Sequence, residues 1–133
     1  MTHRFQTRVY YEDTDLAGIV YYANYLKFIE RARSEWVRDL GLDQARLKAE
    51  AGVVFAVRRV VADYLAPARF DDLLTVETDL RQLTPARLLL EQLVKRGQDK
   101  IFTAEVTLVA LGPEGRAQRL PAEFRRLVSG SAS

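Results

Sequence analysis

Tyr25, Phe28, Ile29, Ala32, Trp36, Val37 and Leu40 fall at i, i+3, i+4, i+7, i+11, i+12 and i+15, the spacing of one face of an α-helix. Lys27, Glu30, Arg31, Arg33, Ser34, Glu35, Arg38 and Asp39 occupy the other side. A helix of about four turns with one apolar stripe has to bury that stripe against something else. Asn24 is placed to act as its N-cap, and Gly41 sits where a left-handed residue would end it. A shorter helix is expected over 42–51, with Asp43 as its cap.

The text on either side is strand-like. Residues 7–11 read as one strand, and four more follow over 53–65, 73–83, 88–95 and 100–111, each rich in Val, Leu, Ile, Phe or Thr. Turn chemistry separates them at 67–72, 84–86 and 97–99, and the short breaks predict antiparallel neighbours in a meander. The expected architecture is α+β: a five-stranded antiparallel sheet wrapped around one long helix. Over 53–65 both parities are apolar, which predicts a homo-oligomer covering the second face. All 133 residues read as one domain with a frayed tail from about Val128.

Several chemistries are excluded. There is no cysteine, so neither a disulfide framework nor a thiolate nucleophile nor a Cys-based metal site is available, and a cytoplasmic protein is expected. The N-terminus runs directly into strand-like text and no apolar run approaches membrane-spanning length, so the chain reads as neither exported nor embedded. The formal net charge is +2 and the basic pairs are scattered, which is no footprint for nucleic acid. The single histidine, His3, reads as a surface residue and rules out Ser-His-Asp and multi-His metal sites. No glycine-rich phosphate loop is present. Catalysis is left to carboxylates, hydroxyls, amides or arginine, without metal or cofactor.

Attention falls on Glu12-Asp13-Thr14-Asp15-Leu16-Ala17-Gly18. Paired aspartates in loops commonly stabilise turns or sit in water. Asp13, Asp15 and Gly18 match positions 1, 3 and 6 of a calcium loop, but Ala17 and Asn24 occupy positions 5 and 12, so no bidentate glutamate closes it. Asp15 instead lies a few residues before the only long helix, whose first amides are unpaired. A carboxylate beside such amides combines a nucleophile or general base with an oxyanion site, which is what acyl transfer needs. The aromatic cluster Tyr21, Tyr22, Tyr25 and Phe28 reads either as core or as the wall of an acyl or aryl pocket. Arg58 and Arg59, adjacent in a strand, point to opposite faces.

The segments 9–15, 17–25 (with Ala17-Gly18-Ile19-Val20-Tyr21-Tyr22), Phe28 and Glu30-Arg31-Ala32-Arg33 resemble the signature of the 4-hydroxybenzoyl-CoA thioesterase family, particularly its Tol-Pal-associated acyl-CoA branch. Residues 55–59 and 64–72 extend the resemblance over nearly the whole chain. It implies a hot-dog fold, a dimer or tetramer with active sites between subunits, Asp15 as the catalytic carboxylate, and the Tyr22 backbone amide polarising the thioester carbonyl. Gly18, Ile19, Val20, Asn24 and Tyr25 are then expected to bind substrate, and Arg58, Arg59 and Arg87 the phosphates of CoA. The branch commonly has His at the position of Tyr22 whereas aryl-CoA members can have Tyr, so alkyl and aryl substrates both remain open. The implied activity is hydrolysis of a CoA thioester, with acyl carrier protein as a second carrier. A dehydratase of this fold would need a His-bearing motif that is missing, and the alternative from another class is a non-catalytic acyl-binding scaffold.

Overall fold

The computed structural model describes residues 2–131. Its elements are strand β1 (His3–Arg8), helix α1 (Asn24–Asp39), helix α2 (Gln44–Ala51), strands β2 (Val54–Tyr64), β3 (Leu73–Leu83), β4 (Leu88–Arg96), β5 (Asp99–Leu111) and the two-residue β6 (Ala117–Gln118), then helix α3 (Ala122–Ser131). All strand pairings are antiparallel, in the order β1-β3-β4-β5-β2, with β6 beside β5.

That order corrects the expected meander. β3, β4 and β5 follow one another through short turns, but β2 pairs with β5, not with β3. The connection 65–72 therefore crosses from one edge of the sheet back to β3, with both Leu65 and Ala66 N–H groups donating to the Ile101 carbonyl on the way (2.9 and 3.1 Å). The N-terminal strand also lies earlier than the expected 7–11: Val9 is fully buried outside it, and Tyr11–Asp13 forms a single 3-10 turn.

Alternation along β4 and β5 puts Leu88, Leu90, Val94, Phe102, Ala104, Val106, Leu108 and Ala110 on the face under α1. Against them α1 lays Tyr25, Phe28, Ile29, Ala32, Trp36 and Val37, all buried, and full burial of each large side chain contributes about 1.5–3 kcal/mol. The helix ends as the glycine predicts. Gly41 has φ +97°, its N–H donates to Arg38 O (2.9 Å), and Leu42 N–H reaches back to Val37 O (3.3 Å). Asp43 caps α2 through the Arg46 N–H at 3.0 Å.

One polar cluster interrupts the apolar interface. Gln92, fully buried, donates through Nε2 to Ile29 O and to Thr78 Oγ1, both at 3.0 Å, and accepts from Arg33 at 3.0 Å. Every polar atom of the amide side chain is thus engaged. Burial lowers the pKa of the Arg33 guanidinium, with the Glu30 carboxylate working in the opposite direction.

Two further expectations are corrected. The chain from Ala122 is helical rather than frayed at Val128; Leu120, Phe124 and Val128 bury themselves in the core, and Phe124 packs on Phe55 with ring centroids 4.6 Å apart. The missed signal is the spacing of Phe124 and Val128 at i and i+4. Residues 132–133 lie outside the described residues. His3 is not a bystander at the surface: its side chain is only 16% exposed and Nε2 lies 2.8 Å from Asp39 Oδ2, joining β1 to the end of α1.

β2 is left at the edge. Val54, Val57, Val60, Val61, Tyr64 and Leu65 are exposed, and nothing among the described residues pairs with its outer side. No helix among the described residues is long and apolar enough to cross a membrane.

Candidate active site

The two aspartates of the acidic loop do different things. Asp13 is buried and structural: its Oδ2 accepts from Tyr10 N–H (2.8 Å), while its carbonyl oxygen receives Tyr21 N–H (3.0 Å) and Asn24 Nδ2 (2.9 Å). Asp15 is exposed. Its Oδ1 accepts from Ala17 N–H at 2.9 Å in a tight Asx turn, and Oδ2 has no partner among the described residues. Gly18 completes that turn at φ +80°, a conformation that strains other residues, with its N–H on Asp15 O at 2.9 Å. Asp15 N–H then donates to Ile19 O (2.9 Å), and the returning arm bridges Ile19 to Arg69.

The loop delivers the chain to α1 without a capping side chain. Ala23 is the N-cap, and Asn24, expected there, lies inside the first turn with its side chain turned back to Asp13. Tyr22, one residue before that N-cap, has an N–H with no acceptor among the described residues.

Beside this helix start lies an open cleft of about 380 Å³ lined by Ile19, Val20, Tyr22, Tyr25 and residues 64–67. Its walls are aromatic: Tyr25 stacks on Phe102 (centroids 5.0 Å), and Tyr64 meets Phe102, Tyr25 and Tyr22 edge-on at 5.0, 5.6 and 6.1 Å. The Tyr25 hydroxyl is occupied, accepting from Ala68 N–H at 3.1 Å; burial raises its pKa despite that bond. The far wall is clamped by Arg96, which donates to Pro67 O (3.2 Å) and to Asp72 Oδ2 (2.9 Å). Burial disfavours the Asp72 charge, but the hydrogen bonds from Arg69 N–H and Arg96, with the charge of Arg96, outweigh it and hold the carboxyl below its usual range. Another cleft, of about 210 Å³, opens between α1, β2, β5 and α3. It shares no lining residue with the first and lies away from the acidic loop.

The model of the thioesterase-like superfamily matches residues 9–128, spanning both the acidic loop and the sheet. The chain belongs to this superfamily. Its structure superposes on a probable thioesterase from Bartonella henselae with a TM-score of 0.87 at 40% identity, covering 91% of this chain and 100% of that one. A mutant of 4-hydroxybenzoyl-CoA thioesterase complexed with 4-hydroxybenzoyl-CoA superposes with a TM-score of 0.88 at 26% identity, over 96% of this chain and 98% of the other. In sequence, the acyl-CoA thioesterase YbgC of Haemophilus influenzae is 41% identical over 128 residues, 92% of this chain and 94% of the relative. The expected hot-dog architecture is therefore that of a thioesterase-like protein, and the chain is a thioester hydrolase.

In this thioesterase-like chain, Ile19, Val20, Tyr22 and Tyr25 come together at the cleft. Asp15 and Gly18 stand beside it on the same loop without lining it, and Asn24 braces the loop. The arginines lie elsewhere. Arg58 is the extra residue of a bulge between Val57 and Arg59, where the two-residue alternation assumed for this pair breaks; Arg59 pairs with Thr107 on the face away from α1. Arg87 immediately precedes β4, seven residues and roughly 23 Å along the chain from Val94, the partner of Phe102 behind the cleft's tyrosines. Tyr64, Leu65, Ala66 and Pro67, which line the cleft, and Phe102, packed behind its tyrosines, carry no expectation of a site role from the sequence. The one signal for them is an aromatic ending a strand directly before the Leu-Ala-Pro break.

Proposed function

We propose that this protein hydrolyses acyl-CoA thioesters to free acid and CoA, with Asp15 as the catalytic carboxylate and the Tyr22 backbone amide as donor to the thioester carbonyl oxygen. The observation that carries the reading is the pairing of an exposed, half-unpartnered carboxylate with an uncapped helix start beside one aromatic cleft. In either version of the chemistry the carbonyl oxygen gains negative charge and the CoA thiolate departs. Asp15 attacks the carbonyl carbon and water later cleaves the mixed anhydride, or Asp15 takes a proton from an attacking water. An amide fixed beforehand at the position of the developing charge lowers both barriers. The relatives' names support CoA as the carrier, ahead of acyl carrier protein. The cleft's tyrosines suit either aryl or short alkyl groups.

Two copies are proposed to associate through β2. Its free edge and exposed valines favour antiparallel pairing of one β2 with another across a two-fold axis, beside the clefts. This would bring a second subunit's surface to each cleft, a route by which Arg58, Arg59 or Arg87 could reach CoA phosphates.

Thiol release from short-chain, long-chain and aryl acyl-CoAs by wild type and Asp15→Asn tests the reading, with no protein thiol to interfere. A fall of about 10²–10⁴-fold in kcat in the variant is expected. Equal turnover in both proteins would remove Asp15 from the reaction. Ligand-induced stabilisation without turnover in wild type would make the chain an acyl-binding scaffold.

A further inference from the structure

The segment 21–24 presents the amide on which the proposed chemistry depends, yet no side chain caps it. Five hydrogen bonds hold it among the described residues: Tyr21 N–H and Asn24 Nδ2 to Asp13 O (3.0 and 2.9 Å), Asn24 N–H to Tyr21 O (2.8 Å), Leu26 N–H to Ala23 O (3.2 Å), and the Tyr64 hydroxyl to Tyr22 O (3.0 Å). The first four stay within the loop and the first turn of the helix. Of these five, the Tyr64 bond alone comes from the sheet, and it alone holds Tyr22 itself.

We propose that Tyr64 is a positioning residue for thioester hydrolysis, its hydroxyl fixing the Tyr22 backbone so that the Tyr22 N–H is held toward the thioester oxygen. This rests on the reading of Tyr22 as the oxyanion donor. The N–H and C=O of Tyr22 flank one Cα, and peptide units are planar, so anchoring the carbonyl restricts the remaining rotation. The anchor is half exposed but braced on one side: Tyr64 ends β2 opposite Phe102 and its ring meets Phe102, Tyr25 and Tyr22, contacts that restrict the directions its hydroxyl can take. Burial, reinforced by Tyr22, raises the Tyr64 pKa, so the O–H remains a donor well into alkaline solution. Misplacement of a reacting group by a fraction of an ångström to one ångström costs up to about 10²-fold in rate, so a single anchoring bond is a credible control point.

Tyr64→Phe removes the hydroxyl and keeps the ring, which separates this role from that of a cleft wall. The expected result is a kcat about tenfold lower with KM for a short-chain acyl-CoA within about twofold and Tm nearly unchanged. A trifluoromethyl ketone analogue of acyl-CoA, which mimics the oxyanion, should weaken by the same tenfold, whereas a thioether analogue should bind as before. Tyr64→Leu, which also removes the ring, should raise KM in addition. An unchanged kcat in Tyr64→Phe, or equal weakening of both analogues, would overturn the proposal. Asp15→Asn run in parallel keeps the two readings apart: wild-type turnover in that variant sinks the catalytic reading, whereas loss there with full activity in Tyr64→Phe sinks only the role of Tyr64.

Discussion

Asn24 Nδ2 donates to the carbonyl oxygen of Asp13 at 2.9 Å, so the first turn of α1 is fastened to the start of the loop that carries Asp15. The bond ties helix to loop without capping the helix, since the Asn24 amide donates to a loop carbonyl and accepts from no first-turn N–H. Asn24→Ala should cost about 1 kcal/mol. Asn24→Asp gains about 0.3–1 kcal/mol from a negative charge at a helix N-terminus but sets a carboxylate against a carbonyl oxygen, at about 1–3 kcal/mol. The expected order of Tm is wild type, then Ala, then Asp; finding Asp above Ala would show that the contact does not hold the loop.

The Arg96–Asp72 clamp gives a pH-dependent contribution of known sign. Because the folded-state pKa of Asp72 is depressed, its stabilisation is present above the ordinary carboxylate range and is lost as pH falls through the lower folded value. Asp72→Asn should therefore melt below wild type at neutral pH, and the gap should shrink below about pH 4. Thermal melts from neutral to acid pH test this, since a gap independent of pH would mean that the charge contributes nothing.

Gln92 and Arg33 should behave as a unit. Gln92→Leu leaves a half-buried guanidinium and the Thr78 hydroxyl short of partners, at about 1–3 kcal/mol, or a Tm lower by roughly 4–12 °C. Arg33→Met combined with Gln92→Leu should recover part of that loss, because the unmet donors go with the arginine. Strict additivity of the two substitutions in melting experiments would refute the coupling.

Association through β2 predicts a specific sensitivity. Val61 is exposed on the face away from α1 and pairs with Glu105, so Val61→Lys places a cation opposite a carboxylate and should leave the isolated chain folded. Light scattering should then report a species near 15.2 kDa, where wild type gives a multiple of it. A wild-type mass equal to one chain would exclude the association.

Helix α1 was legible residue by residue because one element carries its whole apolar stripe and its stop signal. The four later strands were legible for the same reason: alternation and turn residues are local. Their order was not. Nothing in the text of 65–72 says that it spans the sheet, because the pairing of β2 with β5 is decided by packing across distant segments. The site divided along the same line. Asp15 and Gly18 stood out through their own loop chemistry, whereas Tyr64 and Phe102 acquire meaning only once β2 lies beside β5. Asn24 had the right residue type for a cap but lies inside the helix because Asp13 offers its carbonyl to the side chain.

The crossing from β2 to β3 has a consequence for biosynthesis. The cleft draws on Ile19, Val20, Tyr22 and Tyr25 and on Tyr64 to Pro67, with Phe102 packed behind Tyr25 and Tyr64, so a chain leaving the ribosome exposes the acidic loop long before the second wall has been made. Contacts separated by so much chain close late. Until Tyr64 to Pro67 have emerged the cleft lacks its second wall, and a growing chain can hold Asp15 in a formed turn without yet having anywhere to bind a thioester.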